Sequence, residues 1–300
     1  MKTIVKTTLS AIGLMLALPA CAQGSTPTPQ AQDADPALWV VKDADTTVYL
    51  FGTVHLLKPG LSWFDEAVKT AFDKSGEVVL ELTDGADPAN QQLAIAKGMN
   101  PTGPALTDKV PADKRAAVKA MLDGSGVPAQ AYERMDPWLA NLVVANTAIG
   151  KLGYQVDSGA EKTLEAAARQ SGKTLTGLET TAQQIGYFDQ ISDAAQIRML
   201  VSAAEDMPKL QPMLESMIGS WAKGDPEGVA KAVNDNLRDT PEVAKTLLTD
   251  RNQRWAEWIR QRMARPGTVF VAVGAGHLAG PDSVQAQLAK LKLKPARIAY

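Results

Sequence analysis

The chain has 300 residues, of which 45% are hydrophobic, and its 31 Lys and Arg against 33 Asp and Glu give a net charge of −2 at pH 7. This length and composition are typical of a globular protein with a sizeable core. The near balance of charge offers no general attraction to phosphate backbones or anionic lipid, so we expect no nucleic acid partner.

The first residues indicate an export signal. Two lysines precede the apolar residues 9–20, a stretch that is long enough for a signal-peptide core and too short to span a membrane. The single cysteine, Cys21, ends the sequence LPAC and predicts lipidation at a lipoprotein cleavage site. Residues 20–22 also fit an ordinary A-x-A cleavage site. We therefore expect a periplasmic or lipid-anchored protein of the cell envelope, with membrane contact only through that anchor.

The domain boundaries follow from composition. Residues 1–21 are predicted to be the signal peptide, and residues 22–36, rich in Pro, Ser, Thr and Gln, a flexible linker. Residues 37–300 then form one α/β domain. Neither cleavage leaves a free thiol, so the fold must be stabilised by its core without disulfides.

Strand and helix signals alternate at the start of this domain. Residues 37–43 and 46–52 have the alternation of a β-hairpin, residues 62–75 have helical spacing, and residues 77–84 read as a strand covered on both sides. Together they predict a strand–helix–strand unit.

The rest of the domain repeats this arrangement around long helical stretches. YQVD is predicted to be a short extended piece, followed by a capped helix and a strand at 173–179. Strand 267–276, helix 281–291 and an edge strand at 294–300 end the chain. Helical insertions are predicted at about 88–150 and 181–265. The fold class is therefore α/β, with pseudo-duplicated strand–helix–strand units forming a mainly parallel sheet under a helical insertion or cap.

Both histidines occupy one repeated motif. The pattern G-x-x-H-L-x-x-P fits Gly52–Pro59 and Gly274–Pro281, each where an apolar strand ends. Two further predicted strands carry acids in comparable places, with Glu81 near the end of one and Glu179 at the end of the other. Because ligands of open α/β sheets bind beyond the carboxyl ends of the strands, we expect these four residues on one rim.

Histidine and carboxylate at one rim suggest a metal site. Both are ligands of zinc, manganese, cobalt and iron. A bound ion would acidify a water, and a nearby carboxylate could take its proton during attack on a carbonyl. Both residue types also have structural interpretations. A strand-end histidine commonly hydrogen-bonds a loop, and Glu81 could be a solvent-exposed acid on an edge strand.

Glu179 and three more residues have both functional and structural interpretations. Glu179 and Asp157 stand where helix caps are expected. Asn252 shares a helical stripe with Trp255, which favours core packing, and Arg251 beside it could reach a substrate carboxylate.

A set of motifs in chain order resembles the TraB/PrgY/GumN family, related to the Tiki proteases and more distantly to erythromycin-esterase and ChaN-like folds. The resemblance runs from Ala37 to the C-terminus and rests on LFGTVHL, VVLELTD, GYQVDSGAEKTLEAAA, TGLETTAQQ, RNQRWAEWI and FVAVGAGHLAG. It implies two half-units around one site and, for the Tiki branch, metal-dependent peptide cleavage with manganese- or cobalt-like ions.

The resemblance also implies roles for particular residues. His55, Glu81 and His277 match the family's first G-x-x-H, strand-end Glu and second G-x-x-H. Glu179, Arg251 and Asn252 match less distinctive positions of the family's motifs, and Asp157 matches one more loosely.

We therefore expect a divalent-metal-dependent hydrolase acting on a peptide or a small amide or ester, with Mn, Co or Zn held by His55, His277 and Glu81. Glu81, Glu179 and Arg251 are the expected catalytic residues, and Asn252 and Asp157 the expected substrate-binding residues. A non-catalytic periplasmic protein that binds a peptide or signal is the alternative. The sequence leaves the oligomeric state open.

Overall fold

The computed structural model describes residues 31–300 except 86, 238 and 239. The predicted signal peptide with Cys21, and the linker up to residue 30, lie outside the described residues. Every helix within the described part of the chain is too short or too polar to cross a membrane.

The fold is built on a six-stranded sheet in the order β6-β5-β7-β3-β2-β8, with a separate two-stranded pairing of β1 and β4. The strands are β1 Gln32–Asp33, β2 Leu38–Lys42, β3 Thr46–Thr53, β4 Leu61–Ser62, β5 Glu77–Leu80, β6 Thr174–Gly177, β7 Gly267–Gly274 and β8 Ala296–Ile298. Strands β6, β5, β7 and β3 run parallel, whereas β2 is antiparallel to both β3 and β8. This mainly parallel sheet confirms the predicted fold class.

Helices surround the sheet. Those of the described residues are α1 Glu66–Lys74, α2 Pro88–Gly98, α3 Leu106–Lys109, α4 Arg115–Ser125, α5 Ala129–Tyr132, α6 Pro137–Lys151, α7 Ala160–Gln170, α8 Thr181–Asp189, α9 Asp193–Asp206, α10 Leu210–Ala222, α11 Pro226–Leu237, α12 Pro241–Ala244, α13 Asp250–Arg262 and α14 Val284–Lys290. Three 3-10 turns, Val156–Ser158, Met207–Lys209 and Ala275–Leu278, and a π-helical turn, Lys245–Thr249, complete the described elements.

The two faces of the sheet carry separate cores, because successive side chains of a strand point to opposite sides. Phe270 of β7 packs in the core that includes residues of α1 and α7. Val271, the next residue, packs in the core that includes Trp255 and Ile259 of α13. Burying a side chain of this size stabilises the fold by about 1.5–3 kcal/mol. Helices thus cover both faces of the sheet with apolar side chains, and polar side chains can gather at the ends of the strands.

The helical insertions have a core of their own. Helices α4, α6 and α9 bury a cluster that includes Leu122, Tyr132, Val144 and Leu200. Residues 88–150 and 181–265 are helical throughout most of their described positions.

Three local predictions differ from the structure. Helix α1 begins at Glu66, because Ser62 instead belongs to β4 and pairs with Asp33 of β1. Packing of the domain therefore starts inside the predicted linker, where Ala34 is buried. The YQVD segment, predicted to be extended, ends in the 3-10 turn Val156–Ser158, and only Gln155 forms a bridge, to Leu57.

Candidate functional site

The four predicted strand-end residues come from four adjacent parallel strands. His55 follows β3, His277 follows β7, Glu81 follows β5 and Glu179 follows β6. Parallel neighbours end at the same edge of a sheet, so the topology brings residues from both ends of the chain to one rim.

Three of these side chains meet above Gly274. A Cβ placed on Gly274 would lie 3.2 Å from Glu81 Oε1, 3.5 Å from His55 Nε2 and 3.6 Å from His277 Cδ2. The backbone N–H of Gly274 donates to Glu81 Oε1 at 2.7 Å. The glycine is needed here because any side chain would enter the space between the two imidazoles and the carboxylate.

Arg251 occupies the centre of the cluster and uses all five of its N–H groups. Nε donates to Glu179, Nη2 donates to Glu179 Oε2 and Glu81 Oε2 at 2.7 Å each, and Nη1 contacts His277 Nε2 at 3.1 Å and the carbonyl of Leu247 at 3.2 Å. Arg251 is only 7% exposed. Its charge therefore acts on the buried carboxylates, and its donors are not free to bind a substrate.

Glu179 is the most heavily hydrogen-bonded acid of the site. Besides Arg251, it accepts from Trp255 Nε1 at 3.2 Å and from Gln184 Nε2 at 3.0 Å. Gln184 also donates to Glu81 Oε2 at 3.1 Å and so joins the two carboxylates. Thr180 and Gln183 form the capping box of α8. The Glu179 carboxylate is therefore not used as a helix cap and accepts the hydrogen bonds of this network.

A π-helical turn positions Arg251. Helix α12, the turn Lys245–Thr249 and helix α13 form one continuous helical segment. Such a turn widens the helix by one residue and often occurs at functional sites. The carbonyl of Leu247, inside this turn, accepts from the Arg251 side chain. Residues Arg251, Asn252 and Trp255 all reach the rim from the first turns of α13.

The hydrogen bonds of His277 assign its tautomer. Asn252 Nδ2 donates to the carbonyl of Asp282 at 2.9 Å, so its Oδ1 faces His277 Nδ1 at 2.6 Å. Nδ1 therefore carries the proton, and the Nε2 lone pair accepts from Arg251. Burial, reinforced by the positive charge of Arg251, lowers the pKa of His277 to about 3 despite the opposing effect of Glu81. His277 is thus a neutral, fully engaged residue, and Asn252 contacts it rather than only packing in the core.

Glu81 is ionised at neutral pH. Burial alone would raise the pKa of this carboxyl, but the positive charges of His277 when protonated, Arg251 and His55, with the Gly274 N–H, lower it to about 2. A carboxylate with so low a pKa is a weak base.

His55 differs from the other residues because its side chain is 62% exposed. Its Nδ1 lies 2.5 Å from Glu161 Oε1. Partial burial of the ring lowers the pKa of His55, but the charge and hydrogen bond of Glu161 outweigh this and raise it to about 9. Thr53 Oγ1 also donates to Glu161, which fixes the carboxylate. Within the part of the chain that the structure describes, no group hydrogen-bonds His55 Nε2.

A close backbone approach brings Glu161 to His55. A Cβ on Gly159 would lie 2.2 Å from the carbonyl oxygen of His55, a distance that no side chain tolerates. The N–H of Ala160 donates to the carbonyl of Val54 at 3.0 Å. Gly159 therefore lets the start of α7 dock on the end of β3.

The sequence did not single out Glu161, Gln184 or Trp255 as site residues. Asp157, which it did, is an exposed residue of the 3-10 turn before α7 and has no hydrogen bond to the cluster among the described contacts. Five of the other predicted residues form one hydrogen-bonded group: Glu81, Glu179, Arg251, Asn252 and His277. His55 borders the same space above Gly274 without a hydrogen bond to that group among the described residues. Their predicted roles remain predictions.

The donors at the rim do not fit a divalent ion in this arrangement. His277 Nε2 and Glu81 Oε2 both contact the Arg251 guanidinium, which is itself a cation. No group of three or more His, Cys, Asp or Glu side chains in the described ranges is arranged to hold a metal. The metal ion therefore remains a prediction from the sequence.

The fold and the site together define a mainly parallel α/β protein whose strand-end histidines and glutamates surround a buried arginine. The model of the TraB/PrgY/gumN family matches residues 37–297, and the chain belongs to this family. An uncharacterized protein of Treponema pallidum (strain Nichols) is 21% identical over 268 residues, covering 82% of this chain and 78% of that protein. No solved structure matches the chain.

Proposed function

We propose that the chain is an exported hydrolase that cleaves an amide or ester bond of a peptide-like substrate, with His55 as the residue that moves the proton. The observation that carries this proposal is the contact between the exposed His55 and Glu161. A histidine held at Nδ1 by a carboxylate presents Nε2 to a reactant, as in the histidine–acid pairs of other hydrolases.

The proposed reaction uses neutral His55. Its Nε2 lone pair takes a proton from water as the water oxygen bonds to the carbonyl carbon, and Glu161 stabilises the imidazolium that forms. The bond from carbon to the leaving nitrogen or oxygen then breaks, and the proton passes from His55 to that atom. Glu81 and His277 border the same space above Gly274 as His55 Nε2 and are held by Arg251 in a rigid hydrogen-bonded network.

A second candidate is a non-catalytic protein that binds a peptide or signal at the same rim. It is favoured by the saturation of Glu81, Glu179 and Arg251 with contacts inside the protein, because fully satisfied buried networks commonly serve to rigidify a structure.

One experiment separates these candidates. The purified domain is offered a fluorogenic peptide library and an ester panel, with EDTA and with added manganese, cobalt or zinc. His55→Asn should reduce cleavage by at least about 100-fold, the usual contribution of a general base. Gln253→Ala, an exposed neighbour of the site helix, is the control. Binding of a library peptide without cleavage, unchanged in His55→Asn, would favour the binding protein.

A further inference from the structure

We propose that the Arg251 guanidinium is the resident cation of this site and takes the place of the divalent ion that the family resemblance implies. The inference deepens the proposed hydrolase function, but its test measures metal binding and does not depend on turnover.

The position of the guanidinium is the first support. It lies 2.7 Å from Glu81 Oε2, 2.7 Å from Glu179 Oε2 and 3.1 Å from His277 Nε2. These are the charged and imidazole donors with which a metal would be bound. Because the contacts use every N–H of Arg251, the group is held in one orientation and cannot swing aside without leaving several buried acceptors unpaired.

Counting free lone pairs gives the second support. Glu81 Oε2 accepts from Arg251 and Gln184, and Glu81 Oε1 accepts from the Gly274 N–H. His277 Nε2 faces Arg251. Within the described residues, the rim atoms left without a contact are His55 Nε2 and one side of Glu81 Oε1. Catalytic zinc sites use three protein ligands, so two free donors do not make such a site.

The balance of charge gives the third support. Two buried carboxylates, Glu81 and Glu179, face Arg251, and Arg254 Nη2 lies 4.0 Å from Glu179 Oε1. These two carboxylates and two guanidinium groups balance in charge. A divalent ion would add two positive charges to a buried group, which is costly without further anions.

This arrangement predicts a gain of metal binding when the guanidinium is removed. Arg251→Ala would free His277 Nε2 and Glu81 Oε2. With His55 Nε2, the cluster would then offer three ligand residues around one space, and two carboxylates would lack their cation.

The experiment measures binding of Mn²⁺, Co²⁺ and Zn²⁺ by calorimetry and the shift of the melting temperature when each ion is added. We expect the wild-type protein to show neither binding nor a shift. Arg251→Ala should bind one of the ions at least about tenfold more tightly than the weakest binding that the wild-type measurement would detect. The ion should raise the melting temperature of that variant. The double variant Arg251→Ala/His277→Ala should lose this binding, which would locate the ion.

Two further variants keep the test decisive. Arg251→Lys retains a cation at the centre and should bind no more metal than wild type, even where Arg251→Ala is too unstable to purify. Arg260→Ala, on the same helix and exposed beside Glu257, controls for loss of an arginine. A wild-type protein that binds one ion, with the binding lost in His277→Ala, overturns the inference. So does an Arg251→Ala protein that folds and binds none.

Discussion

Glu161 Oε1 lies 2.5 Å from His55 Nδ1 and sets the charge state of the exposed histidine. The carboxylate raises the pKa of His55 to about 9. The protein has two histidines, and the other, His277, stays neutral above a pKa of about 3. His55 is therefore the histidine expected to titrate in the neutral and alkaline range.

The first prediction concerns Glu161→Gln. Loss of the carboxylate should lower the pKa of His55 from about 9 toward its ordinary value of 6.5, measured by NMR titration of the imidazole signals. Glu165→Gln, one helical turn further and paired with Arg169, should leave the titration unchanged. An unchanged His55 pKa in Glu161→Gln would contradict the assigned contact.

The same pair affects stability in a defined direction. Because the folded-state pKa of His55 lies above 6.5, the pair stabilises the folded protein fully below that pH. This contribution is lost as the pH rises through about 9. The unfolding free energy of wild type and Glu161→Gln should therefore converge above that pH in urea titrations.

A second prediction concerns the pH dependence of turnover. If neutral His55 is the base, kcat/KM should rise with pH and level off near the His55 pKa of about 9. Glu161→Gln should move this rise to lower pH. A rate that instead falls through the same range would assign His55 the role of a proton donor.

A third prediction concerns the buried carboxylate Glu81. Glu81→Gln removes one partner of a buried ion pair and should lower the unfolding free energy by about 3–5 kcal/mol at pH 7. The folded pKa of about 2 lies below the ordinary 4.5, so this difference should shrink as the pH falls below 4.5. Chemical denaturation at several pH values measures it.

Glu205→Gln is the matched control for that series. Glu205 forms an exposed pair with Lys114, and solvent screening leaves such surface pairs with little effect on stability. Equal losses in the two variants would show that Arg251 does not depend on Glu81.

A fourth prediction concerns the acceptor of the buried His277. Asn252→Ala leaves the Nδ1–H without a partner and should cost about 1–3 kcal/mol of unfolding free energy. Gln253→Ala, exposed on the next position of α13, should change stability little. If both variants melt at the wild-type temperature, the assigned tautomer is wrong.

A fifth prediction concerns Gly274. The added Cβ of Gly274→Ala would lie 3.2 Å from Glu81 Oε1 and 3.5 Å from His55 Nε2. We expect a folded protein with strongly reduced turnover, since the methyl group fills the space between the two residues. Gly219→Ala, where a Cβ meets nothing within 4 Å, should retain full activity. Normal turnover in Gly274→Ala would place the reaction elsewhere.

Much of the fold could be predicted because its signals are local. Alternation in β2 and β3 predicts their hairpin, and continuous apolar runs predict the buried strands β5 and β7. Strand ends then predict the positions of His55 and His277, since parallel neighbours share an edge.

The contacts inside the site could not be predicted in the same way. Glu161 stands in the first turn of α7, where an acid is ordinary, and its bond from Thr53 spans 108 residues. The nearby Gly159 is the one local hint, but the need for a glycine there becomes visible only in the folded structure, where the His55 carbonyl lies against it. Likewise, no local sequence pattern around Arg251 reveals which acceptors its five N–H groups contact in the folded protein.

The π-helical turn Lys245–Thr249 precedes the helix that carries three site residues, Arg251, Asn252 and Trp255. Such a turn takes up one extra residue within a single widened turn of helix. Deleting one of its residues would restore a regular α-helix around Leu247, whose carbonyl accepts from the Arg251 side chain. Length variation in these five positions is thus a one-step route by which related chains could change the orientation of the central guanidinium while retaining their sheet.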